Sequence, residues 1–267
     1  MDPKTFATSD DAVLHYEDSQ GKSGAEPLLL LHGLTGTHDD WQHVFDLSVL
    51  AERARVIRPD ARGHGRSINP SGAFSFARCA RDVVELLDHL AIERVRAVGM
   101  SLGAKTLLHL ATTVPSRVSF MVLVSATPRF PEATRALFRA AAAAPRSEGE
   151  WAAMRANHPQ GDSAIRALWS LPARLADDAS DMDFGSDRLT LVQAPTLLVA
   201  GDRDPLYPIE LAVELYRGIP QASLYIVPGG GHGPIFGDER DAFVARALPF
   251  LGLSGEDGLN ASSTLGA

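Results

Sequence analysis

Six short runs constrain the fold more than anything else in this chain. Leu28–His32, Val56–Asp60, Val95–Gly99, Phe120–Ser125, Pro195–Gly201 and Ser223–Val227 are rich in Val, Leu and Ile, and are apolar at consecutive rather than alternate positions. A strand with apolar side chains on both faces has no side to give to water, so it must lie between two helical layers. The intervening stretches Asp39–Ala51, Phe76–Ala91, Leu102–Val114, Ile209–Arg217 and Asp238–Leu251 read as those helices. In one of them Val83, Leu86, Leu87 and Leu90 recur at helical spacing. Strand–helix alternation of this kind implies an α/β architecture: a mostly parallel sheet with right-handed crossovers. Phe6–Thr8 and Val13–Tyr16, on either side of Ser9-Asp10-Asp11, read as an antiparallel hairpin at one edge.

The alternation breaks once. Between Thr127 and Leu191 there is no strand pattern, but Pro131–Ala144, Glu150–His158 and Ser163–Asp178 have helical ones. That is too long for a bare connection. We therefore expect a core from residues 1–126 and 192–251, a small helical cap from 127–191, and a flexible Gly/Ser/Ala-rich tail from 252–267.

Charge and cysteine usage narrow the partners. The 25 Lys and Arg against 33 Asp and Glu leave a net charge of −8, which repels phosphate backbones and anionic lipids. No nucleic-acid or membrane partner is expected. The first residues lack the apolar run of a signal peptide, and no stretch approaches the ~20 apolar residues of a membrane span, so a cytoplasmic protein is expected. The lone Cys79 rules out an intrachain disulfide and a Cys-rich metal site. Within a helical pattern it reads as a small apolar residue rather than a nucleophile.

Gly99-Met100-Ser101-Leu102-Gly103 fits the pattern G-x-S-x-G, and its setting says more than its letters. It joins a strand to a helix, so Ser101 sits on a tight turn that lifts its hydroxyl out of the sheet. Glycines on either side let the backbone pass its neighbours without a Cβ clash. The plainer role for Ser101 is a helix N-cap, but strand–turn–helix placement favours a nucleophile. A serine hydroxyl needs a base to take its proton. Among nine histidines, His232 is the candidate: it lies in Gly229-Gly230-Gly231-His232-Gly233-Pro234, after the last strand and before the last helix, where no ladder claims it. The base needs a carboxylate to fix its tautomer. In Gly201-Asp202-Arg203-Asp204-Pro205, Asp204 lies further into the loop, while Asp202 suits a turn-stabilising role or a pairing with Arg203. For a tetrahedral oxyanion, the N–H of Leu34, in His32-Gly33-Leu34-Thr35-Gly36, pairs naturally with that of Leu102. His32 itself reads as scaffold.

In this order these segments, with Asp60-Ala61-Arg62-Gly63-His64-Gly65-Arg66-Ser67, resemble the α/β-hydrolase superfamily over nearly the whole chain. The resemblance implies that fold, with helices on both faces of the sheet and a helical cap, and a Ser101–His232–Asp204 triad that needs no metal or organic cofactor. Arg62 and His64 read as structural pins of a Gly-rich loop. A serine at the nucleophile position argues against the epoxide-hydrolase and haloalkane-dehalogenase branches. The loop from His32 to Trp41 lacks the His-Gly-Gly-Gly run of the hormone-sensitive-lipase-like branch. We expect a carboxylesterase acting on a small-molecule ester, with Trp41, Met100, Phe130, Trp151 and Trp169 as pocket candidates. Phe138, Met154 and Leu168 of the cap are further candidates, although each of these side chains could equally serve packing alone. A lactonase, carbon–carbon bond hydrolase or perhydrolase would keep the same triad. A ligand receptor with residual activity is the reading from another class.

Overall fold

Eight strands form one twisted sheet in the computed structural model, which describes residues 4–21, 26–178 and 180–254. A hairpin of β1 (Lys4–Ala7) and β2 (Val13–Asp18) opens the chain, followed by β3 (Leu28–Leu31), α1 (Leu47–Arg53), β4 (Val56–Pro59), α2 (Phe76–His89), β5 (Val95–Met100), α3 (Leu102–Thr113) and β6 (Val118–Val124). After an insertion come β7 (Thr196–Gly201), α8 (Ile209–Gly218), β8 (Ala222–Val227) and α9 (Arg240–Phe250). The spatial order is β1-β2-β4-β3-β5-β6-β7-β8. β2 runs antiparallel to both β1 and β4, and β3 to β8 are parallel.

The runs that read as apolar on both sides are buried on both sides. Leu29, Leu31, Ala97, Met121 and Leu123 face one core with α2, α3 and α8. Leu28, Leu30, Val98, Val122 and Val124 face a second core with α1 and α9. From β3 the chain first adds β4 on one side and then returns to place β5 on the other. This reversal opens a crevice at the carboxyl ends of β3 and β5, where ligands bind in open α/β sheets.

Two expectations shift. The helix expected over Asp39–Ala51 is broken: a 3-10 turn spans His38–His43, and Asp46 then starts α1 afresh by accepting hydrogen bonds from the Ser48 and Val49 N–H groups. At the other end Leu253 is buried and its carbonyl accepts from Arg53, so the segment expected to be loose from Gly252 is still packed there. The rest of that tail, from 255 onward, lies outside the described residues. No helix among the described residues is long and apolar enough to cross a membrane.

Between β6 and β7 lie α4 (Glu132–Ala143), α5 (Glu148–Asn157), α6 (Asp162–Asp177) and the short α7 (Ser186–Leu189). Phe138 of α4 and Leu171 and Leu175 of α6 join the α3-side core. The α5–α6 end is tied down by His158, whose Nδ1 accepts from Gly65 N–H at 2.8 Å and whose Nε2 donates to the Thr35 carbonyl at 2.9 Å.

Under the Gly-rich loop after β4, Arg62 is a buried pin, as its sequence setting suggested. It forms a two-point pair with Asp82 of α2, 2.7 Å on each arm, and also reaches Asp10 in the β1–β2 turn. Asp10 is thereby held well below the usual carboxylate range. Arg62→Met would strip Asp82 of its two-point partner and leave it buried with Arg78 alone, whose Nη2 lies 3.1 Å from Oδ1. Removing one member of a buried pair costs about 3–5 kcal/mol, and with Arg78 still in place chemical denaturation should show a loss near the lower end of that range.

Candidate active site

Ser101 ends β5 and begins α3 with φ +48° and ψ −98°, a conformation rare for a residue with a side chain. The flanking glycines explain how the chain holds it. A Cβ on Gly99 would lie 2.5 Å from the Gly103 carbonyl carbon, and one on Gly103 would lie 2.6 Å from the Leu31 carbonyl carbon. Only without those atoms can α3 start hard against β3 and β5. The turn is further held by Ser101 N–H donating to Val124 O at 2.8 Å and Gly103 N–H to His32 O at 3.1 Å.

Asp204 and His232 arrive on the loops after β7 and β8. Those loops are joined: Gly229 N–H donates to Asp202 Oδ1 and Arg203 N–H to Gly230 O. Asp202 thus braces the loop after β8, where the sequence suggested a turn within its own loop or a pairing with Arg203. Asp204 Oδ1 accepts from the Leu206 and Tyr207 N–H groups, which turns Oδ2 toward His232 Nδ1 at 2.8 Å. His232 Nε2 lies 2.9 Å from Ser101 Oγ. With Nδ1 donating to the carboxylate, Nε2 is left to accept the serine proton. Acid, imidazole and alcohol therefore stand in one hydrogen-bonded row.

Next to that row, the Leu34 and Leu102 N–H groups have no protein acceptor among the described residues, and both residues line the same cavity. His32 shapes the turn that offers Leu34. Its Nε2 accepts from Ala61 N–H at 3.0 Å, and its Nδ1 donates to Gly33 O at 2.7 Å. This is the scaffold role its position implied.

The cavity beside Ser101 holds about 230 Å³ and is walled by Phe76, Met100, Phe130, Phe138, Leu175 and Leu206, with Tyr207 at one side. Met100 and Phe130 therefore lie where expected. Trp41 does not: the 3-10 turn rolls it beneath the sheet, where it is buried and stacks on Phe45 in the second core. Trp151 and Trp169 also lie away from the cavity. They pack edge to face at 4.5 Å around Met154, Ile165 and Leu168, holding α5 to α6, with the Arg155 and Arg146 guanidinium groups over their faces. Their area is spent on cohesion of the insertion.

Five wall residues escaped sequence reasoning: Phe76, Lys105, Leu175, Leu206 and Tyr207. Lys105 is 3% exposed, and its Nζ donates to Tyr207 Oη at 2.9 Å and Ser101 Oγ at 3.4 Å. Burial draws its pKa down to about 7 and pushes that of the Tyr207 phenol far up. A signal was present, since Lys105 lies one turn after Ser101 and is the only Lys, Arg, Asp or Glu in α3.

Elsewhere, ligand atoms of His15, His38 and Asp60 cluster within 4.8 Å. Asp60 is already committed there, accepting from His38 Nδ1 and N–H and from Arg66 N–H, each at 2.8 Å, so the cluster pins a loop. Cys79 is buried, and burial raises its thiol pKa, which suits packing and not nucleophilic attack.

Because the serine turn depends on backbone contact, Gly103→Ala should push α3 away from β3. We expect a stability loss of about 1–3 kcal/mol together with a fall in turnover of at least about 10²-fold, since small misplacements at a reacting centre are that costly. Denaturation midpoints and steady-state rates on the same preparation test both.

Comparison with known proteins agrees with this geometry. The family profile described as alpha/beta hydrolase fold matches residues 26–176, and one described as TAP-like protein matches 179–251. A Variovorax paradoxus protein, provisionally named carbamate hydrolase RutD, is 36% identical over 89% of this chain and 96% of its own length. A Bacillus subtilis protein, provisionally named 2-succinyl-6-hydroxy-2,4-cyclohexadiene-1-carboxylate synthase, is 28% identical over 84% and 90%. Among solved structures, a hydrolase from Pseudomonas aeruginosa superposes with a TM-score of 0.77 at 28% identity, covering 94% of this chain and 98% of that one. With its sheet, its serine turn and these relatives in agreement, the chain belongs to the alpha/beta hydrolase family.

Proposed function

We propose that the protein is a serine hydrolase that cleaves small or medium carboxylic esters through an acyl-enzyme on Ser101. The observation that carries this reading is the unbroken relay from Asp204 through His232 to Ser101 Oγ, 2.8 and 2.9 Å long, opening onto an apolar cavity. At about 230 Å³ that cavity is smaller than the ~300–1,000 Å³ of drug-sized ligand sites, which favours short substrates.

In this mechanism His232 takes the serine proton as Oγ attacks the ester carbonyl carbon. The carbonyl oxygen, now an anion, is received by the Leu34 and Leu102 N–H groups, each such donor being worth roughly 10²–10³ in rate. The imidazolium, stabilised by Asp204, then gives its proton to the leaving alkoxide. A water molecule activated by the same imidazole attacks the acyl-enzyme and releases the acid. Every proton passes through His232. A carbamate stands as the second reading, on the strength of the Variovorax relative's name; the same relay would protonate a leaving nitrogen.

A fluorophosphonate should label active protein at Ser101 and nowhere else, as read by peptide mapping. Ser101→Ala should abolish labelling and lower turnover of p-nitrophenyl acetate and butyrate by roughly 10⁴-fold or more. Labelling at another residue, or none on active protein, removes the mechanism. A higher kcat/KM on a short carbamate or a vinylogous diketone than on the esters moves the assignment to that substrate class.

A further inference from the structure

Within the site, the relay leaves one charged group without a task. Lys105 sits on the cavity wall, and its Nζ is ringed by Tyr207, Phe76 and Phe130 at 4.8, 5.4 and 5.7 Å from the ring centroids. No carboxylate among the described residues lies within 4.0 Å of it. Asp204 acts on it through charge, but both of its oxygens are taken by His232 and by the Leu206 and Tyr207 N–H groups. A buried ammonium without a counterion is costly, and a methionine would fill the same apolar space without that cost. Its location gives the charge meaning. Nζ carries three donors, and the two protein oxygens it meets are both neutral acceptors, one of them the nucleophile itself.

We propose that Lys105 Nζ is an anion anchor, and that the substrates this site prefers are short esters carrying a carboxylate within about one to three carbons of the scissile carbonyl. The spacing follows from the geometry. Nζ is 3.4 Å from Oγ, and a carbonyl carbon poised for attack stands ~3–3.5 Å from Oγ on its other side. A charge-assisted N–H···O bond adds ~2.8 Å, so the anion must lie close to the reacting bond. A cavity of about 230 Å³ holds an acyl or alcohol half of that length and little more. The proposal rests on the serine-hydrolase reading and adds the substrate class to it.

Lys105 is also what couples this preference to pH. The groups that face Nζ are Asp204, Tyr207 and His232 on the strand-end loops and Ser101 on its own helix; Phe76 and Phe130 bring no titratable group. With burial holding the amine near pKa 7, the free site loses its positive charge as pH rises through that value. Preference for an anionic ester should fall in step, while effects of His232 cancel in a ratio of two esters.

The test compares kcat/KM for monoethyl succinate with ethyl pentanoate, and for acetoxyacetate with propyl acetate. At pH 6 to 7 at least one anionic ester should exceed its neutral partner by about 10–100-fold, the range for a hydrogen bond to a charged group. Lys105→Met should collapse that ratio and Lys105→Arg should keep most of it, whatever either does to absolute rates. The wild-type ratio should decline between pH 6 and 10. Ratios near or below one for both pairs, a ratio that Lys105→Met leaves unchanged, or a flat pH profile each overturn the proposal. If Lys105→Met does not fold, as read by circular dichroism, the wild-type ratios and their pH profile still decide. Loss of the serine reading looks different: no fluorophosphonate labelling and no turnover of either ester.

Discussion

Contact between backbone and backbone at the start of α3 is the constraint on which the rest of the structure depends. Ser101 holds an unfavourable conformation, of the kind that costs about 1–3 kcal/mol, because Gly99, Gly103 and Leu31 pack with no atom to spare. The surrounding sheet supplies the stability that keeps it there. β3, β5 and β6 are buried on both faces, and α3 is buried along nearly its whole length. A hydroxyl set on so buried a platform would need little reorganisation in the proposed attack. The two loops that bring His232 and Asp204 are held to each other in the same spirit, by main-chain hydrogen bonds and by the Asp202 carboxylate.

Electrostatics around this platform is uneven. Arg62 is buried with two acids and Asp60 with a histidine and two main-chain donors, so those charges are answered inside the fold. Lys105 has hydroxyls and aromatic faces instead. Arg58, also buried, has only the His38 carbonyl as a hydrogen-bond partner, but of these two cations it is Lys105 that faces the cavity beside Ser101.

Much of this was legible in the sequence, for identifiable reasons. Doubly apolar runs report burial on both faces, so the sheet and its helical layers could be read from Leu28–Leu31 or Met121–Val124 alone. Gly-x-Ser-x-Gly reports a close approach that only a particular turn requires, so Ser101 was legible too, and Asp204 and His232 followed from loops that end strands. The wall of the cavity was harder. Trp41, Trp151 and Trp169 are large and apolar, and size does not say whether a ring lines a cavity or packs a core; that depends on which way a short turn rolls. Phe76 and Tyr207 reach the site through crossovers that spacing does not encode. Lys105 is the instructive omission: a charge four residues after Ser101, on a helix buried along nearly its whole length, lies one turn from that serine and on its side of the helix.

His158 belongs to the insertion, yet one of its ring nitrogens meets Gly65 of the loop after β4 and the other meets Thr35 of the turn that presents Leu34. A residue remote from the reacting bond thus sets the alignment of the group that would receive the carbonyl oxygen. Covers of this kind look interchangeable, as parts that can be swapped to change what an enzyme accepts. In this molecule a transplanted cover that lacked the imidazole would free the turn it was meant to serve, so graft and host must be chosen together.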